Sequence, residues 1–410
     1  MFDALAGLKV VDFSWIGVGP ITARHLADFG ATVVRVESAT RPDSLRLAPP
    51  FRDGVPGLDR SAFGAVYNCN KYGLGLNLRL DAGRRLARRL VEWADVVTDS
   101  MTPGSLARLG LGYDELRQLK PEIIMYSTTQ QGQTGPYAAF GGYGQHGSSV
   151  AGFVELTGWP DREPAGPFGA YTDFVAPWFL LTTLLAALDY RDRTGEGQYL
   201  DQSQAEAGMQ LLGPALLDYT ANGHLRSRRG NDDDDFFPHG AYRCRTPERE
   251  SDGRDRWCAI AITNAAEWAR LCEVIEKPEW ADDRALASEE ARRSRADEID
   301  AAIEAWTVLR TPHEAMTQLQ AVGVPAGAVQ TCEDLFADLQ LQEREHFWTL
   351  EHSVIGLHAY DAPAFKLSRT PARPRWAGPA LGEYTQLVCH EILGLDDVAI
   401  ADLAAEGVFQ

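Results

Sequence analysis

At 410 residues, 45% of them hydrophobic, the chain is globular and too long for one ordinary core, so two domains are expected. Its 58 acidic residues outweigh 39 basic ones, and the net charge of −19 excludes nucleic acid or an anionic membrane as a partner of the whole molecule. An anionic ligand must therefore meet a local basic pocket, and most of the positive charge is arginine, which suits bidentate phosphate binding.

The six cysteines, Cys69, Cys244, Cys258, Cys272, Cys332 and Cys389, form neither CxxC pairs nor a metal-ligand spacing. They read as reduced thiols of a cytoplasmic protein, with no metal site expected. The N-terminal stretch has no charged segment followed by an apolar one, so no signal peptide is expected.

In chain order, Leu8 to Phe13 is a short β-rich run, Gly17-Val18-Gly19-Pro20 a loop, Thr22 to Phe29 a helix capped by Gly30, and Thr32 to Val36 a second strand. Glu37 then closes an imitation of a dinucleotide-binding fingerprint. The imitation is imperfect, because Thr22 stands where the third glycine belongs and Pro20 removes an amide. Leu74 to Leu78 alternates as a strand, Asp81 to Trp93 is an amphipathic helix, and Ala94 to Val97 is a strand. Tyr113 to Leu119 is a helix, Glu122 to Thr128 a strand, and Gly132 to Tyr143 a glycine-rich loop. Strands alternating with helices predict a parallel sheet covered on both faces, with the ligand in loops beyond the strands' carboxyl ends.

Gly166-Pro167-Phe168-Gly169-Ala170-Tyr171-Thr172-Asp173 runs straight into the apolar segment Phe174 to Leu188. This places the Asp173 carboxylate where a helix begins, with Pro177 in the first turn. Free N–H groups and the helix dipole there keep a carboxylate ionised and stabilise a nearby oxyanion, as covalent acyl chemistry requires. The plain alternative is that Asp173 is only an N-cap. The apolar run is shorter than the ~20 residues that span a bilayer and reads as a buried helix.

Beyond it, Arg226 to Pro238 changes texture, with arginines, Asp232 to Asp235 and two phenylalanines, and reads as a linker or flap. A strand at Trp257 to Ile262, helices at Ala266 to Ile275 and Ala296 to Thr307, and the turn Gly323 to Gly327 predict a smaller α+β domain. From Trp348 a proline-rich tail leads to a last helix near Thr385 to Leu393. The expected division is 1–224 for the large domain, 225–330 for the small one with its linkers, and 331–410 returning to the large one.

Many segments in order then resemble one family across nearly the whole chain. They include Gly19-Pro20 with Phe29-Gly30-Ala31, Asn70-Lys71, Gly132-Gln133-Thr134-Gly135-Pro136-Tyr137, Asp173, Arg193-Thr194-Gly195, Pro238-His239-Gly240 and Gly323-Val324-Pro325. The chain resembles the family III CoA-transferases, also called CaiB/BaiF, a group with formyl-CoA, carnitine and bile-acid CoA-transferases whose relatives include acyl-CoA racemases. The resemblance implies a Rossmann-like large domain and a smaller α+β domain in an interlocked dimer, with CoA thioesters as substrates and no permanently bound cofactor.

It also places Asp173 on the family's nucleophile, which forms a mixed anhydride and then an aspartyl-CoA thioester on the way to a second carboxylate. Succinyl-CoA is the donor implied by family habit. Lys71 and Arg108 match phosphate-binding positions, and Val18, Arg35, Arg46 and Tyr143 are further candidates for contact with CoA. Ser38, Ser100 and Met101 replace the arginine, asparagine and aromatic of formyl-CoA transferase, so the adenine pocket is expected to differ. The racemase branch carries Gly-His-Asp where this chain has Gly142-Tyr143-Gly144, and a phenol with an ordinary pKa near 10 does not replace a histidine in α-proton transfer. A racemase, a catalytically silent partner of a related subunit in a heteromer, and a dinucleotide oxidoreductase are the alternatives to transfer.

Overall fold

The computed structural model describes residues 3–246 and 254–410. The chain divides into two compact units, one running to Leu156 and resuming over Ala165–Arg226 and Gln340–Gln410, the other formed by Thr157–Pro164 and Ser227–Leu339.

The first unit is built on β1 (Lys9–Asp12), α1 (Val18–Asp28), β2 (Thr32–Glu37), α2 (Ala62–Tyr67), β3 (Tyr72–Gly75), α3 (Asp81–Trp93), β4 (Val96–Asp99), α4 (Tyr113–Leu119), β5 (Ile124–Thr129), α5 (Gly144–Val150), α6 (Phe153–Leu156), α7 (Tyr171–Thr194), β6 (Tyr199–Ser203), α8 (Gln204–Met209) and α9 (Gly213–Asn222). The strands form a six-stranded sheet in the order β3-β2-β1-β4-β5-β6, and every pairing is parallel. Parallel strands are buried on both faces, so they read as continuous apolar runs whose residues alternate sides. Val10, Val33, Val96 and Ile124 pack with Leu26 of α1 and Leu180 and Leu184 of α7. Their chain neighbours Val11, Val34, Val97 and Met125 pack with Leu86 and Leu90 of α3 on the other face. The chain order reverses between β1 and β4, and in open sheets of this kind ligands bind beyond the carboxyl ends at that point.

Three expectations are corrected near this point. The loop Gly17 to Pro20 is shorter than the sequence reading had it, because Gly17 is the N-cap and Val18, Gly19 and Pro20 form the first turn of α1. Proline fits there because its missing N–H would have no helical partner anyway. Likewise α7 begins at Tyr171 with Ala170 as N-cap, so Asp173 lies within the first turn and is not the cap. Pro177 is consequently interior, and its missing N–H leaves the Asp173 carbonyl without its usual i+4 donor. Nor is α7 wholly buried: Thr172, Asp173, Ala176, Leu180, Leu184 and Ala187 face inward, whereas Phe174, Trp178 and Leu185 are exposed.

In the second unit, β7 (His239–Cys244), β8 (Arg256–Ala261) and β9 (Ala326–Ala328) form an antiparallel sheet with β8 central. Its helices include α10 (Ala265–Val274), α11 (Glu289–Arg293), α12 (Ala296–Thr307) and α13 (Pro312–Ala321). Ile260 of the sheet shares a core with Trp268, Leu271, Ile299, Ile303, Trp306 and Leu319. Within the exposed aspartate run, Asp234 accepts from Arg229 Nη2 at 2.7 Å. Back in the first unit, the proline-rich tail holds an unexpected antiparallel hairpin, β10 (Phe347–His352) and β11 (Gly356–Asp361), and a late helix at Asp397–Ala405.

Candidate active site

A cavity of about 100 Å³ opens beyond the carboxyl ends of β1, β4 and β5, lined by Trp15 to Val18, Ser100 to Pro103, Thr128 to Gln130, Gly141 to Gly144 and Asp173. Among the described residues, Asp173 is the only carboxylate on it. The side chain is 9% exposed, and among the described residues no hydrogen bond or ion pair to its carboxylate is found. Glycines make room for it on two sides. A Cβ at Gly17 would lie 2.6 Å from Asp173 Oδ2, and one at Gly144 would lie 2.9 Å from Asp173 Cγ. Both are closer than van der Waals contact allows, so a larger residue at Gly17 must displace the carboxylate, while one at Gly144 also meets Ala170 Cβ, at 2.4 Å.

Gly17 caps α1, Gly144 opens α5, and Asp173 itself stands in the first turn of α7. Three helix N-termini thus surround one carboxylate. Burial pushes the Asp173 carboxyl up from 3.8 to about 7. The helix ends act in the opposite direction and favour the anion. Among the described residues, the N–H groups of Gly17, Val18, Gly142 and Gly144 carry no hydrogen bond within the chain. A desolvated carboxylate beside free N–H donors can attack a carbonyl and have the resulting oxyanion stabilised.

The loop before α1 is held by buried charge. Lys71 Nζ reaches Asp12 Oδ2 at 2.8 Å, the Pro20 carbonyl at 2.9 Å and Asn68 Oδ1 at 2.9 Å. Arg35 contacts the Ser14 carbonyl and Asp43 Oδ2, the latter at 2.6 Å. Arg46 grips Glu37 with two nitrogens, at 2.9 and 2.7 Å. Burial alone would raise the Asp12 carboxyl, but the Lys71 and Arg35 charges outweigh it and hold the group well below the usual carboxylate range. Asp43 in turn accepts from the Ile16 amide at 3.1 Å. Ile16 stands at φ 66°, a conformation a β-branched residue rarely adopts.

This geometry corrects two expectations. Arg35 and Lys71 have no exposed surface and Lys71 has all three donors engaged, so neither offers an N–H to a phosphate. Arg46 is equally enclosed. They look basic in sequence, but buried carboxylates neutralise them: Asp12 for Lys71, Glu37 and Asp43 for Arg35, and Glu37 for Arg46. Val18 and Tyr143 do line the cavity, and Tyr143 is largely exposed. Arg108 is exposed outside it and donates to Ser105 Oγ at 2.9 Å. His146 accepts the Tyr143 amide on Nδ1 at 3.1 Å and caps α5, a structural role.

Sequence reading missed the two packing glycines, Gln130, and a second cavity of about 270 Å³ beside the first. The two share Trp15 and Met101, and Arg41 and Arg79 line the second. Arg41 lies over the Trp15 ring at 5.1 Å. Both arginines are exposed, and among the described residues neither has an ion pair.

Comparison with known proteins agrees with this architecture. The model of CoA-transferase family III matches residues 5–385. The chain is 32% identical to succinyl-CoA–D-citramalate CoA-transferase of Chloroflexus aurantiacus, covering 98% of each chain. It is 31% identical to succinate–glutarate CoA-transferase of Agrobacterium fabrum, covering 96% of this chain and 97% of that one. A solved CaiB/BaiF family protein from Brucella suis superposes with a TM-score of 0.85 at 30% identity, over 95% of this chain and all of the other. A match of this extent, over a parallel sheet whose switch point holds an unpaired aspartate, means that the chain belongs to CoA-transferase family III, a family of CoA-transferring enzymes.

Proposed function

We propose that this enzyme moves CoA from an acyl-CoA donor to an organic carboxylic acid through Asp173. The observation that carries the reading is the unpaired, enclosed Asp173 carboxylate between Gly17 and Gly144. Its oxygen attacks the thioester carbonyl, the C–S bond breaks, and CoA thiolate leaves a mixed anhydride on the enzyme. The thiolate attacks the aspartyl carbonyl of that anhydride, releasing the first acid as a carboxylate and leaving an aspartyl-CoA thioester. A second carboxylate repeats the two steps in reverse. Each intermediate is an activated acyl group of similar energy, so one difficult exchange becomes several moderate ones.

The second cavity suits the nucleotide end of CoA. Arg41 and Arg79 there supply the local positive charge that a molecule of net charge −19 needs for an anionic ligand. Arg108 stands as a third candidate for phosphate contact. Trp15 and Met101 lie on both cavities, so a CoA thioester reaching from one to the other passes between them. Succinyl-CoA is the proposed donor, supported by relatives named for it, and the acceptor belongs with the small organic acids those names carry. Relatives named as alpha and beta subunits support assembly with either a second copy or a related chain. Five buried, unpaired cysteines fit a reducing compartment, the cytoplasm.

The test is intact-protein mass spectrometry after incubation with a panel of acyl-CoA thioesters, succinyl-CoA first. The expected result is a CoA-sized adduct removed by hydroxylamine, present in the wild type and absent in Asp173→Ala. An adduct that persists in the variant would move the nucleophile elsewhere. No adduct from any thioester, with deuterium exchanged at the α-carbon of a branched acyl-CoA, would replace transfer by racemisation.

A further inference from the structure

Gln130 is one of the groups that hold the glycine loop against Asp173, beside the His146 and Gly147 amides, which donate to the Tyr143 carbonyl at 2.8 and 3.2 Å. Gln130 follows β5, and its backbone carbonyl accepts from the Ala205 amide at 3.1 Å and the Ser203 hydroxyl at 3.3 Å, which pins it to the start of α8. The side chain is 6% exposed, and Nε2 donates to the Tyr143 carbonyl at 2.8 Å. That contact settles which way the amide faces, because the opposite orientation would set two acceptors against each other. Oε1 is therefore turned away from it, packed against Gly142, with no partner among the described residues.

Gly142 is not among the residues of positive φ, so alanine would fit its backbone. Its Cβ would nevertheless lie 2.0 Å from Gln130 Oε1 and 2.9 Å from Cδ. Gln130 is latched and enclosed, so it cannot swing aside. The glycine at this position serves the side chain beneath it and not the turn.

A trans peptide points its carbonyl and its N–H to opposite sides. With the Tyr143 carbonyl held by Gln130 together with the first-turn amides of α5, the N–H of Gly144 is turned the other way. Gly144 is the residue packed on the Asp173 carboxyl, and its N–H is unbonded among the described residues. The following peptide is fixed too, since Thr172 Oγ1 donates to the Gly144 carbonyl at 3.1 Å.

We propose that Gln130 is a positioning residue for CoA transfer: acting through the Tyr143–Gly144 peptide, it aims the Gly144 N–H as an oxyanion donor for the carbonyl that Asp173 attacks. The proposal rests on the transfer reading and deepens it. Gln130 is assigned this role through the peptide it holds, not through the attacked carbonyl itself.

Gln130→Met preserves length and volume while removing both the donor and the orphaned acceptor. The folding midpoint should stay level or rise. The rate of adduct formation at saturating acyl-CoA should fall at least ~10-fold, with KM for acyl-CoA within about twofold, as expected when one oxyanion donor is lost or loosened. Gly142→Ala should slow the same step, and Gly142→Ala combined with Gln130→Ala should cost no more than Gln130→Ala alone, because the collision is gone. An active enzyme indifferent to Gln130→Met, a midpoint that falls in step with activity, or full additivity of the pair would each overturn the proposal. A wild type that forms no covalent adduct would instead sink the transfer reading, a result distinct from all three.

Discussion

The two loops that close on Asp173 are held by opposite means. Ser14 to Gly17 is fixed largely by charge: Arg35 on the Ser14 carbonyl, Asp43 on the Ile16 amide, and the fully buried Lys71–Asp12 pair below, with neutral bonds added where Ser100 Oγ meets the Trp15 amide and carbonyl at 2.6 and 2.8 Å. Gly141 to Gly144 is fixed by neutral bonds, Gln130 and the His146 and Gly147 amides on the Tyr143 carbonyl and Thr172 on the Gly144 carbonyl, with glycines packed directly on side chains. Removing one partner of a buried ion pair leaves an uncompensated charge, which costs about 3–5 kcal/mol. Losing one neutral bond costs about 1 kcal/mol. The charged loop therefore behaves as foundation, able to hold Ile16 in a strained conformation. The neutral loop is where geometry beside Asp173 can change at little cost to the fold, so its substitutions should show in kinetics and not in stability.

Removing the centre of the comparison comes first. Asp173→Asn should lower turnover by a factor of about 10³ or more, as loss of an attacking group does, and abolish the CoA adduct. Lys71→Met tests the charged side, with a predicted loss of about 3–5 kcal/mol in urea unfolding. A loss under about 1 kcal/mol would show that Asp12 finds another partner. Gly17→Ala forces the carboxylate aside, and a displacement of this kind should reduce kcat by about 100-fold with the fold intact. Unchanged kcat would mean that Asp173 has room the packing does not show.

The pH dependence separates chemistry from stability at the same residue. Attack needs the anion, so kcat/KM should rise through an acidic limb near the Asp173 value of about 7, or below it to the extent that the helix N-termini prevail. For folding the sign is opposite. A carboxyl whose pKa is raised in the fold binds its proton more tightly there, so its contribution falls as pH rises from 3.8 to about 7. Asp173→Asn should thus gain stability over wild type at pH 8 and lose that advantage below pH ~4. Equal stability at both pH values would mean that the carboxyl is not held in a desolvated state. The smallest effect belongs to Ile16→Asn, since asparagine tolerates φ 66° better than isoleucine, and relief of strain should raise stability by about 1 kcal/mol at most. A drop of the same size would show that apolar contact outweighs strain there.

Much of this was legible in the residues alone. Helix spans at Asp81–Trp93, Tyr113–Leu119 and Ala296–Thr307 coincide with the reading from periodicity, because each has an apolar stripe at helical spacing and a clear stop. The hairpin Phe347–Asp361 was missed because the prolines from Pro363 onward coloured the reading of the whole tail, although the hairpin itself contains none, and its turn carries no strong signal. The start of α7 was misplaced because no side chain caps it, and a proline inside a helix imitates a proline at its beginning.

By itself, the sequence determined the alternating α/β architecture, the family, and the single aspartate at the head of an apolar helix, since all three are written in local spacing and ordered motifs. Only the tertiary structure decided which charges are free. Arg35 and Lys71 read as ligand-binding cations until Asp43 and Asp12 are folded onto them, while among the described residues Arg41 and Arg79 have no ion pair beside the site. It likewise decided that Gly17 and Gly144 make room for a carboxylate and Gly142 for an amide. Such roles depend on contacts between residues far apart in the chain, and a glycine's reason for being small lies in the atom that occupies the space a side chain would have filled.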